Sequence, residues 1–177
     1  YLQDKTGTLT NTDWQDELLR TAVSHSHNIA FSNTKRTNGY RASFTYQNTQ
    51  GVVERNNMNR LAGSLSAYQT GLNGRLRLDE GINANFDSWH PVDTRIFERM
   101  INLNPTFPVY NPDGSYAQLG GTNTENPVEI NNNRTEDRKR HRFLGYLKAE
   151  LDIIDGLKGV VNTSYEYNET YGGIYKP

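Results

Sequence analysis

Cysteine is absent from the 177 residues, which removes disulfides, thiol chemistry and thiolate zinc sites together. The chain has no run near the roughly 18 apolar residues that a membrane helix requires. Hydrophobic residues make up 34% of it, and mean hydropathy is −0.84. A helical membrane protein is thereby excluded. A β-barrel is not, because only alternate residues of its strands need be apolar and its loops can be polar. A charge surplus is lacking too: the formal net charge is −1, so no nucleic-acid partner is expected. The basic run at 138–142, RKRHR, reads as a solvated strand end. No glycine-rich phosphate loop or nucleophile elbow appears. Acids are plentiful, but nothing in the pattern pairs two of them for catalysis. The chain is therefore not expected to be an enzyme or to carry a cofactor. His25 and His27 share a strand face at spacing two, yet with no third ligand they define no metal site. The chain starts at Tyr1 without an initiator Met and stops at Pro177 after a strand-like stretch. It reads as an excerpt of a longer protein, so missing targeting signals do not bear on location.

What is present is alternation. Residues 143–159, FLGYLKAELDIIDGLKG, split into Phe143, Gly145, Leu147, Ala149, Leu151 and Ile153 on one side and Leu144, Tyr146, Lys148, Glu150 and Asp152 on the other. A strand sends successive side chains to opposite faces, so one face is apolar and the other largely charged. In a soluble sandwich the apolar face would be buried. In a membrane barrel it would meet lipid, and Lys148, Glu150 and Asp152 would face an aqueous lumen.

The same period recurs at His27–Ile29–Phe31, Tyr40–Ala42–Phe44–Tyr46, Leu61–Gly63–Leu65–Ala67, Leu76–Leu78–Ile82–Ala84–Phe86 and Val161–Thr163–Tyr165–Tyr167, with Glu80 breaking the fourth column. That makes about six strands. Three connections are tight and carry turn residues: Thr37-Asn38-Gly39, Leu72-Asn73-Gly74 and Asp155-Gly156-Leu157. Two are long, about 48–59 and 89–139, so short and long connections fall at opposite ends of the sheet. Long strands in a meander with every second connection short fit an outer-membrane barrel better than a sandwich, whose strands usually run about five or six residues. Gly63, Ala67, Gly145 and Ala149 would fill a packed core poorly but are tolerable against acyl chains. Tyr40, Tyr46, Tyr165 and Tyr167 sit on the apolar side as an interfacial girdle would. The expected fold is all-β, an antiparallel up-and-down meander that forms part of a large transmembrane barrel, with short helices in outer loops.

Residues 1–12 are polar and turn-rich. A short helix is expected over 12–23, with Thr12 and Gln15 as a capping box and Trp14, Leu18 and Ala22 at a spacing of four. The connection 89–139 is too long for a plain linker. It contains an expected amphipathic helix over 93–102, with Ile96, Phe97, Met100 and Ile101 on one side, and a turn at Asn111-Pro112-Asp113-Gly114, then an Asn-rich tail. Trp89, Tyr110 and Tyr116 are candidate contacts to a substrate or partner, with pinning of the loop to the barrel rim as the competing role.

The stretch TDWQDELLRTAVSHSHNIAFS, followed by YRASFTYQNTQGVV, resembles the SusC/RagA-like TonB-dependent receptors of the Gram-negative outer membrane. Thr12 through Asp16, then Tyr40 through Ser43 with Gly51, carry the likeness. The loop NPTFPVYNPDGSY and the turn IDGLKG extend it toward residue 160. The resemblance implies a barrel of about 22 strands that imports oligosaccharides or peptides. A SusD-like surface lipoprotein and the TonB complex would be its partners, the latter through parts outside these residues, and outer-membrane lipid its surroundings. It also implies an extracellular segment over 1–23 and a partial barrel over 24–177, with 89–139 outside. The alternative is a soluble carbohydrate-binding β-sandwich. A glycan-cleaving β-sheet enzyme is third.

Overall fold

The computed structural model describes residues 10–118, 120 and 125–175; the expected polar start of the chain lies mostly outside them, as does Pro177. Six strands form a single sheet in the order β1-β2-β3-β4-β5-β6, each antiparallel to its sequence neighbour. They are β1 (His25–Thr34), β2 (Asn38–Gln50), β3 (Asn57–Gly71), β4 (Leu76–His90), β5 (Thr135–Ile154) and β6 (Leu157–Tyr175). Helices α1 (Arg95–Asn102) and α2 (Pro127–Asn133) lie in the connection between β4 and β5.

The strands outrun the alternating runs that announce them, because their upper ends are polar. β5 already begins at Thr135, so the long connection is 91–134, and the β2–β3 connection shrinks to 51–56. The register aligns the apolar columns across the sheet. One row runs Phe31–Ala42–Leu65–Ile82–Gly145–Tyr165 and the next Ile29–Phe44–Gly63–Ala84–Phe143–Tyr167.

Nothing in the described structure covers that face. Phe31 keeps 62% of its surface, Leu147 41% and Tyr165 71%. The buried core holds no strand residue: it consists of Trp14, Leu18, Ile96, Met100, Leu103, Val109, Ala117 and Val128. The accessible surface totals 11991 Å², against about 8,800 Å² for a compact chain of this mass. A sandwich hides such a face beneath a second sheet. Here a one-layer sheet leaves it bare, as a barrel wall does.

The band also has the right height. From Leu76 to Phe86, at about 3.4 Å per residue and a tilt near 40°, it rises about 26 Å, against an apolar belt of about 25 Å. Above it the composition changes within one row to His27, Tyr46, Leu61, Phe86 and His141. The next row, His25–Asn48–Asn59–Ser88–Lys139–Tyr171, is polar. Tyr46 belongs to this upper girdle, but Tyr165 and Tyr167 sit mid-band, because β6 continues to Tyr175. His141, Phe86 and Tyr171 complete the girdle, with His141 5.3 Å from each of the other two rings.

Two turn expectations hold. Leu72, Asn73, Gly74 and Gly156 take positive φ, the conformation that favours Asn and Gly in tight connections. Asn38-Gly39 differs: both residues already belong to β2, and the turn lies at 35–37, closed by Lys35 N–H donating to Asn38 O at 2.7 Å. Gly39 serves another purpose. A Cβ there would lie 2.5 Å from the Tyr68 ring, so the glycine lets that ring lie across the neighbouring strand.

The expected helix over 12–23 is a single turn. Glu17 and Leu19 N–H donate to Asp13 O and Gln15 O, and the chain then pairs Leu19 with Val53. Asp13 caps the turn instead of Thr12, accepting from Gln15 and Asp16 N–H at 3.0 and 3.2 Å. Thr12 turns its hydroxyl to Phe107 O at 2.7 Å.

Candidate functional site

The second face of the sheet carries the chemistry. Alternation places Arg60, Asp87 and Arg140 in one row of β3, β4 and β5. Asp87 is almost fully buried and accepts from Arg60 Nε at 2.7 Å and from Arg140 Nε at 3.0 Å. Guanidinium forks suit this shared role because they are planar and present several donors. The Arg140 guanidinium also lies 5.9 Å from the Trp89 ring, within cation–π range. Further along, Arg142 meets Glu166 at 2.8 Å, Arg77 meets Asp79 at 2.8 Å, and Lys148 pairs with Glu150. At the upper end Glu136 binds both Arg134 and Arg138. The run at 138–142 is thus more than a solvated rim: its three arginines all turn to carboxylates on this face. Two carboxylates are each shared between two arginines, which leaves the wall basic. Every one of these carboxylates is held by a cation.

Above the sheet, the connection 91–134 and residues 10–20 fold into a cap with its own core. Trp14 and Leu18 pack with Ile96, Met100 and Leu103 from α1 and its exit. Thr12 N–H donates to Pro105 O at 2.8 Å and Trp14 Nε1 to Asn104 O at 3.3 Å. α1 buries Ile96, Arg99 and Met100, while Phe97 and Ile101 turn outward. Its buried stripe is therefore rotated from the expected one, so that Arg99 can meet Glu98 and Glu125 at 3.3 and 3.6 Å. The turn at 111–114 forms as expected, with Gly114 at positive φ and its N–H on Asn111 O at 2.9 Å. The Asn-rich stretch divides: Asn131, Asn132 and Asn133 end α2, and Thr135 already begins β5. Buried Asn126 caps α2, accepting from Val128 N–H at 3.1 Å, and donates to Val109 O at 2.8 Å and Ala117 O at 3.3 Å.

Ion pairs brace this cap, and one, Arg134 to Glu136, reaches β5. Asp93 is buried and bound by Arg95 at 2.8 Å and by Arg134. The Arg95 side-chain hydrogen bonds, opposed by burial and joined by the Arg95 N–H and by Arg134, hold the Asp93 carboxyl well below the usual carboxylate range.

The three candidate contact residues separate. Trp89 lies half-buried on the charged face beside Arg140. Tyr110 is half exposed. Tyr116 is half-buried against the cap core, with its ring 5.3 Å from Tyr110 and its hydroxyl accepting from Asn132 at 3.1 Å. The tyrosine pair therefore already serves the cap's own packing, while Trp89 belongs to β4, opposite Met58 and Arg138. His25 and His27 stack at 5.1 Å, and His25 also faces Tyr46 at 5.8 Å. Among the described residues no group of three or more metal-binding side chains is placed to hold an ion. Asp87 with its two arginines was missed by sequence reasoning, because only the register of three strands brings them together.

No protein-family model matches the chain. It is 25% identical over 94% of its length to TonB-dependent receptor P3 of Formosa agariphila, of which it spans 18%. It is 32% identical over 63% of its length to TonB-dependent receptor SusC of Bacteroides thetaiotaomicron, spanning 11% of that protein. The chain thus covers less than a fifth of these curated relatives. Its fold matches a chain of the RagAB peptide importer in its closed-closed state with a TM-score of 0.74 at 18% identity, covering 90% of this chain and 19% of that one. A RagAB peptide transporter structure matches with a TM-score of 0.69. Sequence and fold agree in likening this chain to a stretch of the SusC/RagA-like TonB-dependent receptors.

Proposed function

We propose that the chain is a wall segment of a TonB-dependent importer in the outer membrane of a Gram-negative bacterium, moving oligosaccharides or peptides. The bare apolar face carries this reading. A surface about 26 Å tall, unoccupied by protein and bounded by aromatic rows, matches the hydrocarbon belt. The paired, hydrated opposite face then lines the solute path, and the cap with its long connection stands on the outer side. In this arrangement residues 1–23 and 89–139 are extracellular and 24–177 belong otherwise to the barrel. A SusD-like lipoprotein would meet the outer side, and the TonB complex would act through segments beyond these residues. Trp89, at the upper end of the charged face, is the aromatic best placed to touch a passing solute. Tyr110 is the one best placed to meet a partner.

The test uses the full-length protein in its own membrane. Recovery in the outer-membrane fraction and solute uptake that disappears when TonB is deleted are expected. A protein recovered in the soluble fraction as a folded monomer would overturn the reading.

A further inference from the structure

One cation on the lumen wall stands apart. Arg60, Arg77, Arg138, Arg140, Arg142 and Lys148 all have carboxylate partners. Arg41 makes no ion pair or hydrogen bond among the described residues. The register sets it between Ser32 on β1 and Ser66 on β3, within about 5.5 Å Cα to Cα on either side. Ser66 is opposite Gly81, which is opposite Tyr146. A Cβ on Gly81 would meet the Tyr146 ring at 2.5 Å, so the glycine allows that ring to lie over β4 beside the Arg41 row. Tyr68 lies over Gly39 in the same way, its hydroxyl donating to Lys35 O at 2.6 Å. These side chains and Asp79 line one concavity of about 380 Å³, the size of a small-ligand site. Asp79 is already bound by Arg77, so its charge is met within the wall. The hydroxyls of Ser32, Ser66 and Tyr146, like the Arg41 guanidinium, have no protein partner among the described residues. Four unengaged polar groups converge here on a wall that otherwise pairs its charges.

We propose that this concavity is a carboxylate-binding site on the solute path, with Arg41 as its anchor. The guanidinium fork takes both carboxylate oxygens, the hydroxyls meet the remaining polar groups, and the two tyrosine rings form the flanks. The carboxylate belongs either to an acidic sugar or to an acidic peptide, both within the solute classes proposed above, and the inference rests on that importer reading.

Binding to the purified full-length protein in detergent tests it, with trigalacturonate and triglutamate as acidic probes and maltotriose and trialanine as neutral ones. R41Q should weaken at least one acidic probe by about tenfold or more and leave its neutral counterpart unchanged; the arm that moves identifies the source of the carboxylate. R41K, which keeps the charge and loses the fork, should fall between. Equal affinity of R41Q and the parent for both acidic probes, a matching loss for a neutral probe, or no acidic probe bound by the parent protein would each overturn the site. Failure of the importer reading shows separately, as loss of outer-membrane location or of TonB dependence in the unaltered protein.

Discussion

In the cap, Trp14 and Leu18 keep 3% and 0% of their surface; in the sheet, Ile29 and Ile82 keep 53% and 57%. Both regions are rich in apolar side chains, and both are ordered. The cap hides its apolar atoms inside protein, where partners are particular and close-packed. The sheet holds its strands by backbone pairing and by ion pairs on its charged face, such as Arg60–Asp87–Arg140, and leaves the apolar atoms of its other face to the surroundings. The same residue type therefore has a different tolerance in each place. In the cap, size and shape matter; on the sheet's outer face, only the avoidance of charge does.

Substitutions can break this contrast or sharpen it. Trp14→Ala should cost the cap about 3–5 kcal/mol, read in the full-length protein as faster amide exchange and proteolysis across 91–134. Strand exchange should not change. If the strands loosen equally, the two regions are one cooperative unit and the contrast fails. Leu147→Arg should cost about 2–4 kcal/mol of barrel folding into lipid if its position is mid-membrane, while Lys148→Gln next to it is nearly silent. Similar folding free energies for the two variants would reverse the facing. Asn126→Ala strips the cap on α2, removes the Asn126 donor from the Ala117 carbonyl and leaves Val109 O with only the Ala117 N–H; about 1–3 kcal/mol is expected, as a lower melting point of the cap with the barrel transition unmoved. Glu80→Leu acts in the other direction. Glu80 lies on the bare apolar face between Ala67 and Leu147, so, with that face in the membrane as proposed, replacing it should stabilise the barrel by at most about 2 kcal/mol, measured by denaturant titration in lipid. No gain there would mean that Glu80 has a partner in the membrane.

Acid gives the smallest effect near neutrality. The folded Asp93 carboxyl is held below its ordinary value of 3.8, so its stabilisation of the cap is complete above that pH. It is lost as pH falls from 3.8 toward the lower folded value. Amide exchange in 91–134 should therefore be flat from pH 7 to 5, apart from intrinsic chemistry, and rise below 4. An Asp93→Asn protein should start loose and lack that rise.

The six strands were legible because period-two alternation survives wherever one face is apolar. Their ends were not: β5 from 135 to 142 is polar on both faces and β6 beyond 168 mixes Tyr171, Ile174 and glycines without alternation, though pairing continues. α2 was hidden by its asparagines. Asn126, Pro127 and Glu129 form a helix start that the Asn-rich reading passed over. The single turn at 14–18 looked longer because Trp14, Leu18 and Ala22 share helical spacing, yet Ala22 contributes nothing to the core. In the candidate site, Lys148 and Glu150 were placed on the correct face from alternation alone. The sharing of Asp87 by Arg60 and Arg140 depends on which residues oppose each other across strands, and single-chain periodicity does not encode register.

Connection lengths in this meander also dictate an order of assembly. The three tight turns let β1–β2, β3–β4 and β5–β6 zip as hairpins, and the short link 51–56 then joins the first two. The seam between β4 and β5 spans 91–134, whose closure entropy is the largest in the sheet. Packing of the cap around Trp14 and Ile96 shortens that span. The cap thus doubles as the clasp that brings the last two strands into line.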